Sequence, residues 1–406
     1  MIIERPFIAP FKGSVGQEIP DDIYDFLSSK EFLDLICTQE VGKWVEGEEE
    51  SIKTLALIAF GGRLAKNAAA TSGNLIVNSV SGSGKDWVVD HVLSLLPRDS
   101  YVRRTRISPT AFTYWHNSKF EPEWTWDGKV VFLEDISENL LNCDVLKVLA
   151  SGGSHSTVVI NQQACDIEIK GKPILIATTA KAIPKPELIR RFPMLLLNES
   201  AAQTKAVLKK QANFAKKGKV PEKNPKVAEA MFYLQPVSVK VPFAEAIAEK
   251  MQSDCVIMRT SFPRFLDYVK FSAALFQFQR EVDTEGYILA NNADYANAAL
   301  AIKKTASTGM IPLTRDQRQI LAVFTEPTDD GKLNLQRFSA SDIQCKVPFE
   351  YRWVLDQLNR LTEYGILEKT SEHRGTADKR TMVFSLRSEM ALTLPSWEEI
   401  GGDHNG

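Results

Sequence analysis

Three short stretches combine residue types able to handle a nucleoside triphosphate. The first is Ser81-Gly82-Ser83-Gly84-Lys85-Asp86, in which glycines let backbone N–H groups approach phosphate and a lysine offsets its charge. The second is Lys129-Val-Val-Phe-Leu-Glu134-Asp135, an apolar run ending in two acids of the kind that hold Mg²⁺ and orient an attacking water. The third is Lys172-Pro-Ile-Leu-Ile-Ala-Thr178-Thr179, which ends in hydroxyls. The chemistry these residues suit is ATP hydrolysis with Mg²⁺. Lys85 reaches the β- and γ-phosphates, residues Ser81 to Asp86 cradle them, and Asp86, Glu134 and Asp135 are the metal candidates. Order alone does not decide whether Glu134 or Asp135 polarises the water. Two positions depart from the usual loop: Ser79 stands for its first glycine, and Asp86 for the Ser or Thr that binds magnesium. The bland alternative, a chance glycine-rich turn, loses weight because an acid-tipped apolar run follows at a suitable distance.

Such a loop works only when a strand fixes one end and a helix start presents its dipole at the other. The run 74–78 (NLIVN) predicts that strand, and 87–96 predicts the helix behind the loop. Residues 130–133 and 173–177 suit buried parallel strands, so 51–198 reads as an α/β core. Beyond 198 the strand signals stop. Helical repeats at 203–216, 225–234, 244–252, 264–281 and 294–304 predict a helical lid over 199–308. Three further helical segments (314–324, 339–345, 349–364) precede apolar runs at 365–369 and 381–386. Three helices with a two-stranded wing predict a winged-helix domain over 309–392. Residues 1–50 read as a linker or collar, and 393–406 as a tail.

The order of phosphate loop, VVFLED strand, strand with a polar end and then Glu187-Leu-Ile-Arg190-Arg191-Phe192 resembles AAA+ ATPases, in particular superfamily 3 helicases and their minichromosome-maintenance (MCM) relatives. The resemblance covers roughly residues 51–305. It implies an AAA+ core, a ring-shaped homo-oligomer, a hexamer by expectation, and single-stranded DNA in a central channel. It places Thr179 at sensor 1, makes Arg191 the arginine finger with Arg190 as alternative, and makes Arg264 the sensor-2 arginine with Arg259 as runner-up. It also implies that 156–170 is a β-hairpin projecting into the channel, with Gln162 and Gln163 at the tip, where the family usually carries a basic residue, and Lys170 on the return arm. The expected function is an ATP-dependent DNA helicase or translocase in replication. The alternative is an initiator or helicase loader that binds duplex DNA and uses ATP as a switch. The absence of an origin-binding or primase domain ahead of the core fits a viral, plasmid or mobile-element source.

Two further surfaces bear on nucleic acid. Lys205, Lys209, Lys210, Lys216 and Lys217 crowd one helical stretch; a solvated helix face accounts for them as readily as phosphate binding. Around the wing, Arg352, His373, Arg374, Lys379 and Arg380 are placed to meet duplex backbone or a replication protein. Of the 406 residues, 49 are basic and 51 acidic. A uniformly basic surface is thereby excluded, but a local basic channel is not. Five cysteines lie far apart with no CxxC, which argues against zinc and a disulfide framework. No apolar run reaches membrane-spanning length, so a cytoplasmic protein without membrane contact is expected.

Overall fold

The computed structural model describes residues 19–108, 111–112, 124–141, 143–152, 154–160, 163–180, 191–218, 221–251, 258–305, 313–325, 337–364, 366–373, 380–386 and 394–400. Its centre is a five-stranded parallel sheet of β1 (Leu75–Asn78), β2 (Tyr101–Arg104), β3 (Val130–Leu133), β6 (Ile174–Thr179) and β7 (Met194–Leu196), in the order β2-β3-β6-β1-β7. Register aligns Leu75 with Ile176 and Val130 with Ile174. Alternate side chains of these strands enter two separate cores. Leu75, Val77, Phe132 and Ile176 share a core with the N-terminal helices and with helix Met258–Leu275. Ile76, Val131, Leu133, Leu175 and Met194 face Phe112, Trp126, Leu146 and Leu149. Burial on both faces is why the three central strands are continuous apolar runs rather than alternating ones.

A separate hairpin, β4 (Ser154–Ile160) and β5 (Gln163–Ile169), pairs antiparallel between helix Asp144–Leu149 and β6. It does not join the central sheet.

The described part of the segment read as a linker or collar is packed rather than free. Ile23, Leu27, Phe32, Ile36 and Val41 are buried in the main core, and Gln279 Nε2 donates to the carbonyls of Leu27 and Ser29. Helix Ala201–Lys217 follows β7 and has no buried residue along its length. The long helices Met258–Leu275 and Asn292–Thr305 pack together, joined by a buried pair in which Arg280 Nη2 meets Asp294 Oδ1 at 2.7 Å.

In the C-terminal unit, helices Arg315–Thr325, Ala340–Gln344 and Tyr351–Glu363 accompany an antiparallel sheet in the order β8-β10-β9 (β8 Phe338–Ser339, β9 Leu367–His373, β10 Arg380–Leu386). Ser339 and Asp342 cap the short helix reciprocally, each side chain accepting the other's backbone N–H. Residues 394–400 return to the helices before this unit: Trp397 packs 5.0 Å from Phe243 and 5.7 Å from Tyr295 between ring centres, and Tyr295 Oη donates to the Pro395 carbonyl. Among the described residues no helix is long and apolar enough to cross a membrane.

Candidate nucleotide-binding site

The phosphate loop joins β1 to helix Lys85–Leu93. Gly82 and Gly84 have φ of 84° and 85°. A Cβ at either would meet nothing within 4 Å, so these glycines are required by the left-handed backbone and not by space. Gly84 is the helix N-cap and no side chain caps it. The first-turn N–H groups are left to an anion, with the helix dipole behind them. Lys85 is buried, its Nζ 3.6 Å from Asp86 Oδ2.

Both departures from the usual loop have partners. The Ser79 hydroxyl donates to Glu199 Oε1 at 2.8 Å, and the Val80 N–H donates to the same oxygen at 2.9 Å. Glu199 thus holds the root of the loop from the residue preceding the N-cap of helix Ala201–Lys217. Asp86 accepts a hydrogen bond from the Thr178 hydroxyl, and that hydroxyl accepts the Asp135 N–H at 2.9 Å. One threonine on β6 therefore ties the loop helix to the acid pair after β3. Asp135 is the one non-glycine residue at positive φ (46°) among the described residues. Its strained backbone is held by this bond and by Ile136 N–H on the Thr178 carbonyl at 2.8 Å.

Glu134 is turned elsewhere. Its Oε2 accepts from Arg103 Nη2 at 2.9 Å and from Nε at 3.2 Å, while Arg103 Nη1 donates to Asp90 Oδ1 at 2.8 Å. Glu134 raises the Arg103 guanidinium above its ordinary range. Burial raises the neighbouring Tyr101 phenol.

A cleft of about 800 Å³ opens over Ser81–Gly84. One wall is Trp44, Val45, Glu46 and Trp87; the other is Glu199, Gln203, Val207, Leu208 and Phe214. Trp87 is half exposed and packs 4.1 Å from His91 between ring centres, with Trp44 5.0 Å from His91. Burial pushes the His91 imidazole below its usual value. Helix Ala201–Lys217 is tethered across the cleft by polar bonds. Gln203 Nε2 donates to the Glu46 carbonyl, and Lys210 Nζ donates to Val45 O and Glu46 Oε2 at 3.0 Å each.

The structure thus gathers Ser81, Gly82, Ser83, Gly84, Lys85, Asp86 and Asp135 at the carboxyl end of the central strands, with Glu134 beside them but engaged by Arg103. The hydroxyl that reaches Asp86 belongs to Thr178. Thr179, the residue singled out from sequence, is buried at the strand end. Arg191 does not line this cleft; its Nη1 donates to Lys147 O at 2.7 Å and to Ser151 Oγ at 2.5 Å, at the end of helix Asp144–Leu149. Arg264 does not line it either. It is buried in helix Met258–Leu275 near Asp267 and Tyr268, its Nε without a partner, and burial lowers its guanidinium. Gln163, Lys170 and Arg380 are exposed; Arg380 Nε donates to His373 Nε2 at 3.3 Å. Gln162, Arg190, Arg374 and Lys379 lie outside the described residues. Lys172 is tucked onto the carbonyls of Lys66 and Ala68. Sequence reasoning missed Arg103, Thr178, Glu199 and Trp87. Only Thr178 carried a signal, since two adjacent threonines on a strand must face opposite sides.

Among the described residues no three His, Cys, Asp or Glu side chains gather into a metal cage. The donors present are the carboxylates of Asp86, which accepts from the Thr178 hydroxyl, and of Asp135, whose backbone N–H donates to that same hydroxyl. Such hard oxygens fit Mg²⁺, which commonly takes one or two carboxylates plus substrate phosphates.

A glycine loop between a parallel strand and an uncapped helix, with acids at the end of β3, one strand beyond β6, defines an α/β core of the P-loop NTPase class. The family described as the MTBMA_p00010 P-loop domain matches residues 19–234, and the protein belongs to that family. No curated protein matches the chain.

Proposed function

We propose that this protein is an ATP-dependent DNA helicase or translocase of the AAA+ type, similar to superfamily 3 and MCM-like enzymes, acting in replication as a homo-hexameric ring. The observation that carries the reading is the β4–β5 hairpin, set outside the sheet and immediately before the strand that bears Thr178. A hairpin so placed links movement of a projecting element to the residues around the triphosphate. The strand order β2-β3-β6-β1-β7 supports the AAA+ assignment. In this reading the helices of 199–308 are the lid, and the C-terminal unit is a winged helix that meets duplex DNA or a replication protein.

The phosphates of ATP lie on the Ser81–Gly84 backbone and Lys85, and the base enters the cleft between Trp87 and helix Ala201–Lys217. Asp86 and Asp135 would hold Mg²⁺, which when bound would neutralise charge on the phosphates. Glu134 accepts the proton of the attacking water once Arg103 releases it. Arg191, which faces away from its own cleft, serves the neighbouring subunit's site.

The test is ATPase and fork unwinding by wild type, Lys85→Ala and Arg191→Ala. Both variants lose unwinding, and mixing them restores part of the ATPase by pairing an intact Lys85 with an intact Arg191 across an interface. Absence of recovery sinks the intersubunit site. The Arg103–Glu134 pair favours one second reading, a slow ATP switch of the initiator or loader kind. Sequence-specific duplex binding with no strand displacement is the result that selects it.

A further inference from the structure

Arg318, on the first helix of the C-terminal unit, binds backbone from two other parts of the chain. Its Nη2 donates to the Met194 carbonyl on β7 and to the Thr305 carbonyl at the end of helix Asn292–Thr305, each at 3.0 Å. β7 forms the edge of the sheet beyond β1. The Pro193 carbonyl is taken by Ile76 N–H at 2.9 Å, so the strand turns Met194 O outward, where Arg318 covers it. At Thr305 a cation meets the negative end of a helix dipole. The Arg318 Nε is sealed from solvent with no hydrogen-bond partner among the described residues, and burial lowers the guanidinium to about 10. Confining a charge this way stabilises little compared with an apolar side chain of equal volume. What a guanidinium adds is a fixed spacing among three carrier elements.

Those elements matter because Met194 lies three residues after Arg191. The intervening Phe192 and Pro193 are buried, and the proline has a fixed φ. Arg191 is held at its other side by helix Asp144–Leu149. A displacement of the C-terminal unit is therefore delivered to a short stiff segment that ends on Arg191.

We propose that Arg318 is a positioning residue that transmits nucleic-acid binding at the C-terminal unit to the Arg191–Met194 segment, and so sets the reach of Arg191 towards a neighbouring phosphate loop. This rests on the DNA-dependent ATPase reading above. The bland rival is a rivet that only stabilises the fold.

The experiment uses the full chain as wild type, Arg318→Met and Arg318→Lys. It measures ATP affinity, ATPase without DNA, ATPase with an oligothymidylate or a duplex, and thermal unfolding. Arg318→Met keeps ATP affinity and basal rate near wild type, while DNA stimulation falls about fivefold or more, the usual scale of a coupling between sites. Arg318→Lys, whose ammonium can donate to both carbonyls, recovers part of the stimulation. Unchanged stimulation in Arg318→Met overturns the proposal. So does a uniform loss of stability, basal rate and stimulation in both variants, which is the signature of a rivet. A wild type that DNA does not stimulate removes the functional reading and this inference with it, and that failure is visible before any variant is made.

Discussion

The floor and the outer wall of the nucleotide cleft are built on opposite principles. On the floor, β1, β3 and β6 are buried on both faces, and Thr178 links Asp86 to the Asp135 backbone inside that frame. Across the cleft, helix Ala201–Lys217 buries no side chain. It stays in place through Glu199, Gln203 and Lys210, whose bonds end on the phosphate loop and on residues 45–46. A frame sealed by apolar contacts resists displacement, whereas an element held by a few solvent-facing polar bonds opens at little cost. The phosphate loop, Asp86 and the Asp135 backbone are thus held in a fixed frame, and the adjustable part of the cleft is helix Ala201–Lys217.

That contrast can be broken from the floor upward. Lys85→Ala produces the largest effect: hydrolysis falls by about a thousandfold or more, as when a charge that stabilises the phosphoryl transition state is removed, with little change in thermal unfolding. Thr178→Val comes next. It removes the acceptor of the part-buried Asp135 N–H and costs about 1 kcal/mol in chemical denaturation, with a drop in turnover that exceeds any change in ATP affinity. Normal turnover in this variant removes the link between loop and acids. Gln203→Ala combined with Lys210→Ala acts on the wall alone. The apparent ATP affinity falls several-fold at near-constant maximal rate, helix Ala201–Lys217 exchanges amide hydrogens faster, and the exchange of β1 and β3 is unchanged. Equal acceleration in floor and wall contradicts the contrast.

The smallest effect is a pH dependence. His91 is buried with its pKa lowered, so the unfolded chain binds its proton more readily than the folded one. Its contribution to stability is complete above the unfolded value, about 6.5, and is lost as pH falls through the lower folded value. Tryptophan emission from the Trp44–Trp87–His91 cluster changes over that interval in wild type. In His91→Phe the change disappears.

The floor was legible in the sequence and much of the wall was not, for physical reasons. Leu75–Val77, Val130–Leu133 and Ile174–Ala177 are unbroken apolar runs because parallel strands between helices are buried on both faces, and the glycines of the loop are demanded by φ. β2 is short, half exposed and carries two arginines, so neither its strand nor the Arg103–Glu134 pair stands out. Glu199 meets Ser79 across 120 residues, a contact no local spacing encodes. The repeat at 203–216 revealed a helix but not that none of its residues is fully buried. Residues 1–50 lacked a motif, yet Trp44 and Glu46 form part of the cleft. The placement of Arg191 and Arg264 depends on how whole elements lie against one another, which the order of motifs leaves open.

The return of residues 394–400 to the helices ahead of the C-terminal unit has a mechanical consequence. The unit is moored near its entrance by Arg318 and beyond its exit by Pro395 and Trp397. With the chain tied down on both sides of the unit in sequence, a large displacement must break the Arg318 bonds or the Pro395 and Trp397 contacts rather than leave both intact.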